Sequence, residues 1–225
     1  MATILENVQG VKARIARAAR AAGRDPESVT LLAVSKTHPV ARMAEAQAAG
    51  LNAFGENYVQ EAFRKMQALS GAQWHLVGAL QSNKSRLAAE RFDWVQTVDR
   101  VKIANRLSEQ RPAHLPPLNV LIEVNISGEA SKSGAGVKEV TELCAAIATL
   151  PRLRLRGLMA IPAPGAAGDF VKMRRLYDTL HGQFGFDTLS MGMSEDMEAA
   201  IAAGATMVRI GTAIFGERRP ERSAA

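Results

Sequence analysis

Val29-Thr30-Leu31-Leu32-Ala33-Val34-Ser35-Lys36 is the stretch on which the fold turns. It is apolar and rich in β-branched residues, it follows the helix-breaking pair Asp25-Pro26, and it closes on a lysine. Such a run reads as a buried strand. Upstream, Ile4, Val8, Val11, Ile15, Ala18 and Ala22 recur at helical spacing and predict an amphipathic helix. Downstream, Pro39 fits the first turn of a second helix, which runs to a stop at Gly50.

The alternation continues along the chain. Further strands are predicted at 53–57, 73–80, 94–98, 119–126, 154–161, 187–192 and 207–215, with helices at 58–69, 84–90, 101–110, 137–150, 170–184 and 195–203. That makes eight strands with helices in the seven connections between them, counting the helix that begins at Pro39. About ten residues follow the last strand, too few for an eighth helix, and the opening helix takes that place. Strand–helix alternation implies a parallel sheet with right-handed crossovers, and eight such units close a (β/α)8 barrel of the TIM type. A doubly wound open sheet is the competitor, and the repeat count favours the barrel. The segment 162–168, Pro-Ala-Pro-Gly-Ala-Ala-Gly, reads as a mobile loop after the sixth strand, and no low-complexity linker divides the chain. One domain over 1–225 is expected.

Composition excludes some functions. Of the 225 residues, 47% are hydrophobic and 22% charged, as in ordinary globular chains, and no apolar run reaches the ~18 residues a membrane span requires. The first 23 residues are rich in Arg and Ala but hold no continuous apolar core, so they do not read as a secretory signal. Their periodicity fits a packed helix better than a mitochondrial presequence. The single cysteine, Cys144, sits on an apolar helical face and allows no intrachain disulfide. A reducing, cytoplasmic setting follows as the expectation. With that one cysteine and four scattered histidines, no metal-ligand cluster is visible. The net charge is +6, but the arginines are dispersed along helices without interleaved aromatics, so a solvated basic surface is expected rather than nucleic-acid binding.

In such a barrel, chemistry sits where the strands end. Lys36 closes strand one and Asn57 closes strand two; His75 lies within strand three, Met159 near the end of six, and Ser194 follows seven. Arg209 lies within strand eight, with Gly211 and Thr212 after it. A lysine ending an apolar strand is partly desolvated, which lowers its pKa and frees the amine for a Schiff base. The ordinary alternative is a lysine that snorkels to the rim. Ser194 reads as the N-cap of a helix. With Gly211, which lets backbone approach an oxyanion, and the Thr212 hydroxyl, it outlines a phosphate cup after strands seven and eight. Barrel closure sets strand eight beside strand one, so Lys36 stands next to that cup. An aldehyde-bearing phosphorylated cofactor fits the pair, and so does a phosphosugar aldolase with a Schiff-base lysine.

The ordered blocks then carry a resemblance. They are Ala33-Val34-Ser35-Lys36-Thr37, Phe54-Gly55-Glu56-Asn57-Tyr58-Val59-Gln60-Glu61, and Trp74-His75-Leu76-Val77-Gly78-Ala79-Leu80-Gln81-Ser82-Asn83-Lys84. Val124-Asn125-Ile126-Ser127-Gly128-Glu129, Ser131-Lys132-Ser133-Gly134 and Gly157-Leu158-Met159-Ala160-Ile161-Pro162 continue the series. Leu189-Ser190-Met191-Gly192-Met193-Ser194 and Val208-Arg209-Ile210-Gly211-Thr212-Ala213-Ile214-Phe215-Gly216 complete it. Almost end to end, the chain resembles the pyridoxal phosphate homeostasis protein family, whose fold is like the N-terminal barrel of alanine racemase without its second domain. Ala79, where the family often has Pro, and Leu76-Val77 are departures that touch packing only.

The resemblance implies that Lys36 carries pyridoxal 5′-phosphate (PLP) as an internal aldimine. It also implies that Ser194, Gly211 and Thr212 hold the phosphate, that Asn57 contacts the cofactor, and that Arg209 approaches the pyridine nitrogen. An always-cationic Arg disfavours a protonated ring nitrogen and weakens the electron sink. A non-catalytic carrier serving vitamin B6 homeostasis is therefore the favoured reading, with an amino-acid racemase as the alternative. Racemisation needs acid–base groups on both faces of the α-carbon. Of Tyr58, Tyr177 and His75, His75 is the best candidate for a second base, against its ordinary reading as a buried structural histidine. Apo-PLP enzymes are the expected recipients, Lys84 and Lys132 are candidate handlers of incoming or outgoing cofactor, and a monomer or weak homodimer is expected.

Overall fold

The computed structural model describes residues 2–129, 132–163 and 165–217. Its strands are β1 (Thr30–Val34), β2 (Ala53–Glu56), β3 (Gln73–Leu76), β4 (Trp94–Val98), β5 (Leu118–Glu123), β6 (Leu153–Met159), β7 (Thr188–Ser190) and β8 (Met207–Ile210). Each pairs in parallel with the next, and β8 returns to β1. The barrel is closed, which rules out the open-sheet competitor. At the seam Leu32 stands in register with Arg209 and Ala33 with Ile210.

The helices are α1 (Ile4–Ala21), α2 (Val40–Ala48), α3 (Val59–Met66), α4 (Ser85–Arg91), α5 (Val101–Gln110), α6 (Val140–Ala148), α7 (Ala167–Phe184), α8 (Met197–Ala202) and α9 (Thr212–Phe215). A capping box starts α1: Thr3 Oγ1 accepts from the Glu6 N–H, and the Thr3 N–H donates to Glu6 Oε2. Its buried face is Ile4, Val8, Val11, Ile15 and Ala19, so Ala19 rather than Ala18 or Ala22 finishes the apolar stripe. α1 packs against α2, α8 and α9 and thereby fills the outer ring. Arg14 pairs with Glu198 at 2.8 Å, and Asn7 Nδ2 donates to Ile214 O at 2.9 Å.

Several boundaries differ from the reading of the sequence. Pro39 is the N-cap of α2 rather than a first-turn residue. β3 stops at Leu76, not at residue 80, and beyond it the chain runs close against Asn57. A Cβ on Gly78 would lie 2.3 Å from Asn57 O. β5 stops at Glu123, leaving Val124 in a single bridge to Ala135. β8 ends at Ile210, and 212–215 form α9, so a short helix does follow the last strand. α8 starts at Met197 with Asp196 as N-cap, so Ser194 does not cap it. A turn comes first, in which the Met193 N–H donates to Asp196 Oδ1 and the Asp196 N–H to Met193 O. α7 begins at Ala167, which shortens the preceding loop; within it Pro164 lies outside the described residues, as does Ser131 of the block after β5.

Side chains alternate along each strand between the helix layer and the barrel axis. Phe54, Leu76, Val95, Ile122, Leu158, Val208 and Ile210 join the main apolar core. Two small apolar groups stand apart from it, Leu32–Val77–Met207 and Trp94–Leu121–Met159. Among the buried polar residues are His75, Gln96, Ser190 and Arg209. A barrel of this size is normally filled by branched aliphatics. The polar file here is a departure that must have its own hydrogen bonds.

Candidate functional site

Lys36 stands just beyond β1 and Asn57 just beyond β2, Arg209 is inside β8, Gly211 and Thr212 follow it, and Ser194 comes after β7. All six line one cavity of about 560 Å³ at the C-terminal ends of the strands, walled also by Val34, Val77, Ile161 and Pro162. Closure of β8 on β1 makes this possible, because it sets the end of one beside the end of the other. A larger cavity, about 740 Å³, opens at the strand N-termini around Thr30, Ala53 and Gln73. Function in this architecture belongs to the other face, so the smaller cavity is the site.

Lys36 is half-buried. It occupies the first central position of a turn in which the His38 N–H donates to Ser35 O at 3.1 Å. The second central residue, Thr37, has φ +66°. Glycine is the usual occupant of such a position, and a β-branched residue there is strained. Opposite, Ser194 Oγ accepts from the Ala213 N–H at 3.4 Å. A Cβ on Gly211 would come 3.1 Å from Val34 O, so the backbone of the β8 end lies hard against β1. Glu195 and Asp196 also line the cavity, and Asp196 spends Oδ1 on the Met193 N–H.

Arg209 closes the floor of this cavity. It is buried; Nη1 donates to Ser190 Oγ at 2.8 Å and Nη2 to Ala160 O at 2.9 Å. Burial pushes its pKa down to about 10, against the opposing pull of the Glu123 and Asp196 carboxylates, so it remains cationic at neutral pH. Glu123 is raised to about 7 by burial and then by the charge of Asp99, with Arg209 acting in the other direction.

Below Arg209 the donors run in one direction. Ser190 Oγ donates to Gln96 Oε1 at 2.7 Å, and Gln96 Nε2 donates to His75 Nδ1 at 2.9 Å. That leaves His75 Nε2 as the protonated nitrogen, donating to Gln73 Oε1 at 3.1 Å. The ring stacks on Trp94 with centroids 5.1 Å apart, and burial holds its pKa down to about 3. His75 is thus neutral, spoken for at both nitrogens and outside the cavity lining; the structure does not bring it to the mouth. Met159 is also fully buried, against Trp94 and Leu121, and away from the lining. Lys84 ends a 3-10 turn before α4, and Lys132 pairs with Glu129 at 3.0 Å; neither lines the cavity. Among the described residues no group of three or more metal-ligating side chains occurs.

Reasoning from the sequence missed two sets of residues. Gln96 sits in the middle of β4 and Ser190 at the end of β7, with nothing in their spacing to mark them. The buried Glu56 and Lys65 and the half-buried Glu61 form a charge cluster beside Lys36, signalled only by the i,i+4 spacing of Glu61 and Lys65.

A closed parallel barrel with a lysine after β1 and hydroxyls after β7 and β8 defines a class. The family model described as "Alanine racemase, N-terminal domain" matches residues 7–219. The barrel superposes on that of alanine racemase from Corynebacterium glutamicum with a TM-score of 0.69 at 16% identity, covering 95% of this chain and 62% of that one, which is a likeness of fold. The chain is 59% identical to the pyridoxal phosphate homeostasis protein of Pseudomonas aeruginosa, covering 97% of both, and 56% identical to that of Escherichia coli K12, covering 97% of this chain and 98% of the relative. It belongs to the pyridoxal phosphate homeostasis protein family. The structure of the relative PipY from Synechococcus elongatus with PLP bound matches with a TM-score of 0.81 at 34% identity, covering 95% of this chain and all of that one.

Proposed function

We propose that this protein binds PLP in the 560 Å³ cavity, holds it through the amine of Lys36, and serves intracellular PLP homeostasis as a carrier rather than as an enzyme. The observation that carries the reading is the meeting of Lys36 with Ser194, Gly211 and Thr212 around one cavity at the β1–β8 seam. The residues present fit the group. The half-buried amine of Lys36 would meet the aldehyde, the hydroxyls of Ser194 and Thr212 would meet the phosphate, and the missing Cβ at Gly211 lets the end of β8 close on β1 beside them. Asn57 contributes an amide to the same wall, and Arg209, at the floor, would meet the ring nitrogen.

When bound, PLP supplies an aldehyde that condenses with an amine and a ring that withdraws electrons. The chain's own groups set how far that ring can act. Arg209 has only N–H groups to offer, so a ring nitrogen set against it would accept a hydrogen bond and would be disfavoured from taking a proton. His75, the best candidate for a second base, is locked in the file below. The carrier reading therefore stands ahead of the racemase. The relatives named for PLP homeostasis, and PipY with PLP bound, support the cofactor and the role.

The test is the visible absorption of the protein incubated with PLP, wild type against Lys36→Ala, before and after borohydride reduction. A reducible band in wild type, fixed by reduction to the peptide carrying Lys36, is the expected result. A wild type that stays colourless overturns the reading. Racemase activity is assayed with amino-acid enantiomers and added PLP, and turnover there would replace the carrier by the enzyme.

A further inference from the structure

The two residues flanking Lys36 are gripped by a charge cluster that takes no part in lining the cavity. Before the lysine, Ser35 Oγ donates to Glu56 Oε1 at 2.6 Å, and Ser35 O accepts from Lys65 Nζ at 2.7 Å. After it, the Thr37 N–H donates to Glu61 Oε1 at 2.6 Å. Lys65 ties the two sides together, reaching Glu56 Oε1 at 2.7 Å and Glu61 Oε1 at 2.7 Å. Its side chain is 8% exposed and that of Glu56 is fully buried.

Stability alone is a poor reason for this arrangement. Burying an ion pair costs about as much solvation as the attraction returns, and an apolar replacement of similar volume is often as stable. Geometry is the better reason. Thr37 is the single non-glycine residue with positive φ among those described. It occupies the turn position where glycine would rest without strain. Something must hold it there, and the Glu61 carboxylate does so through the Thr37 N–H, itself held in place by Lys65.

We propose that Glu56, Lys65 and Glu61 are positioning residues for Lys36: they impose the turn at Ser35–His38 that aims the lysine into the cavity. The inference rests on the proposed function for what Lys36 does, but the turn itself is tested without PLP. Two readouts are taken. One is amide hydrogen exchange of the segment 35–38 in the PLP-free protein. The other is the rate at which bound PLP passes to semicarbazide, one amine nitrogen replacing that of Lys36 with no change of oxidation state.

Glu61→Ala is expected to raise both rates by about tenfold, the scale of strain released at one such residue. Lys65→Met is expected to do the same, with a lowered melting temperature because it strands the buried Glu56 carboxylate, so Glu61→Ala is the cleaner of the two variants. In Glu61→Ala combined with Thr37→Gly, the turn no longer needs holding, and both rates are expected to return to within about threefold of wild type. Wild-type rates in Glu61→Ala and Lys65→Met overturn the proposal, and so does a double variant no slower than Glu61→Ala alone. A wild type that takes up no PLP would sink the proposed function, while the exchange rates would still decide the turn.

Discussion

Arg209 Nη1 donates to Ser190 Oγ across 2.8 Å, and that bond ties the floor of the cavity to a file of donors running down the barrel axis. Every link is buried until Gln73 at the far end, and each has one donor orientation that satisfies its neighbours. Breaking one link leaves partners on both sides unsatisfied where water does not replace them.

Ser190→Ala tests this. It orphans an Arg209 N–H and the Gln96 Oε1, and is expected to cost about 1–3 kcal/mol. For a chain of this size, each kcal/mol lowers the melting temperature by roughly 2–4 °C. Urea unfolding of the PLP-free protein measures it. Loss of less than about 0.5 kcal/mol would show that the file does not bear on stability.

Glu123 gives a pH dependence with a definite sign. Its pKa in the fold is raised from 4.5 to about 7 by burial, so its contribution to stability is whole at low pH and is withdrawn as pH rises through about 7. Glu123→Gln abolishes that withdrawal. The variant is expected to gain on wild type by up to about 2.5 kcal/mol between pH 5 and pH 8. Denaturant titrations at the two pH values check it, and parallel curves would contradict it.

Gly78→Ala addresses the wall of the cavity. The added Cβ would meet Asn57 backbone at 2.3 Å, so one chain segment must move. A destabilisation of about 1–3 kcal/mol is expected, as for overpacking. Because Asn57 lines the cavity, PLP affinity should fall with it, read by titration of the visible band. Unaltered affinity would place Asn57 outside the contact set.

Lys84 and Lys132 remain candidates for passing cofactor on, although neither lines the cavity. Lys84→Ala and Lys132→Ala are each expected to slow transfer of PLP to an apo-enzyme while leaving equilibrium binding intact. Wild-type transfer rates in both would end the idea.

Much of this architecture was legible in the sequence, and the gaps have physical causes. Eight strands were read at their right places because apolar runs and helical periodicities alternate cleanly. Except for β4, whose bounds match, their ends were read too long. Val77 and Leu80 are buried, and so are Ile214 and Phe215, but they are buried outside the sheet, and apolarity does not tell the two apart. Ser194 looked like a cap because a hydroxyl before acidic residues is a good one; the turn at Met193–Asp196 moves the helix start past it. Lys36, Asn57, Arg209, Gly211 and Thr212 were visible because strand ends are where this fold gathers its chemistry. Lys65 was not, since a lysine in a helix reads as solvated and only tertiary packing reveals that it is buried. Gln96 and Ser190 were hidden for the same reason.

The seam between β1 and β8 also bears on synthesis. Translation reaches Lys36 well before Ser194, Gly211 and Thr212, which line the same cavity. α1 likewise waits for its partners, since Glu198 and Ile214 are made only after β7. A nascent chain that has not reached β8 therefore holds Lys36 without the rest of that cavity wall. On the proposed function, cofactor capture would then wait for β8, and a chain cut short before it would withdraw no PLP from the pool.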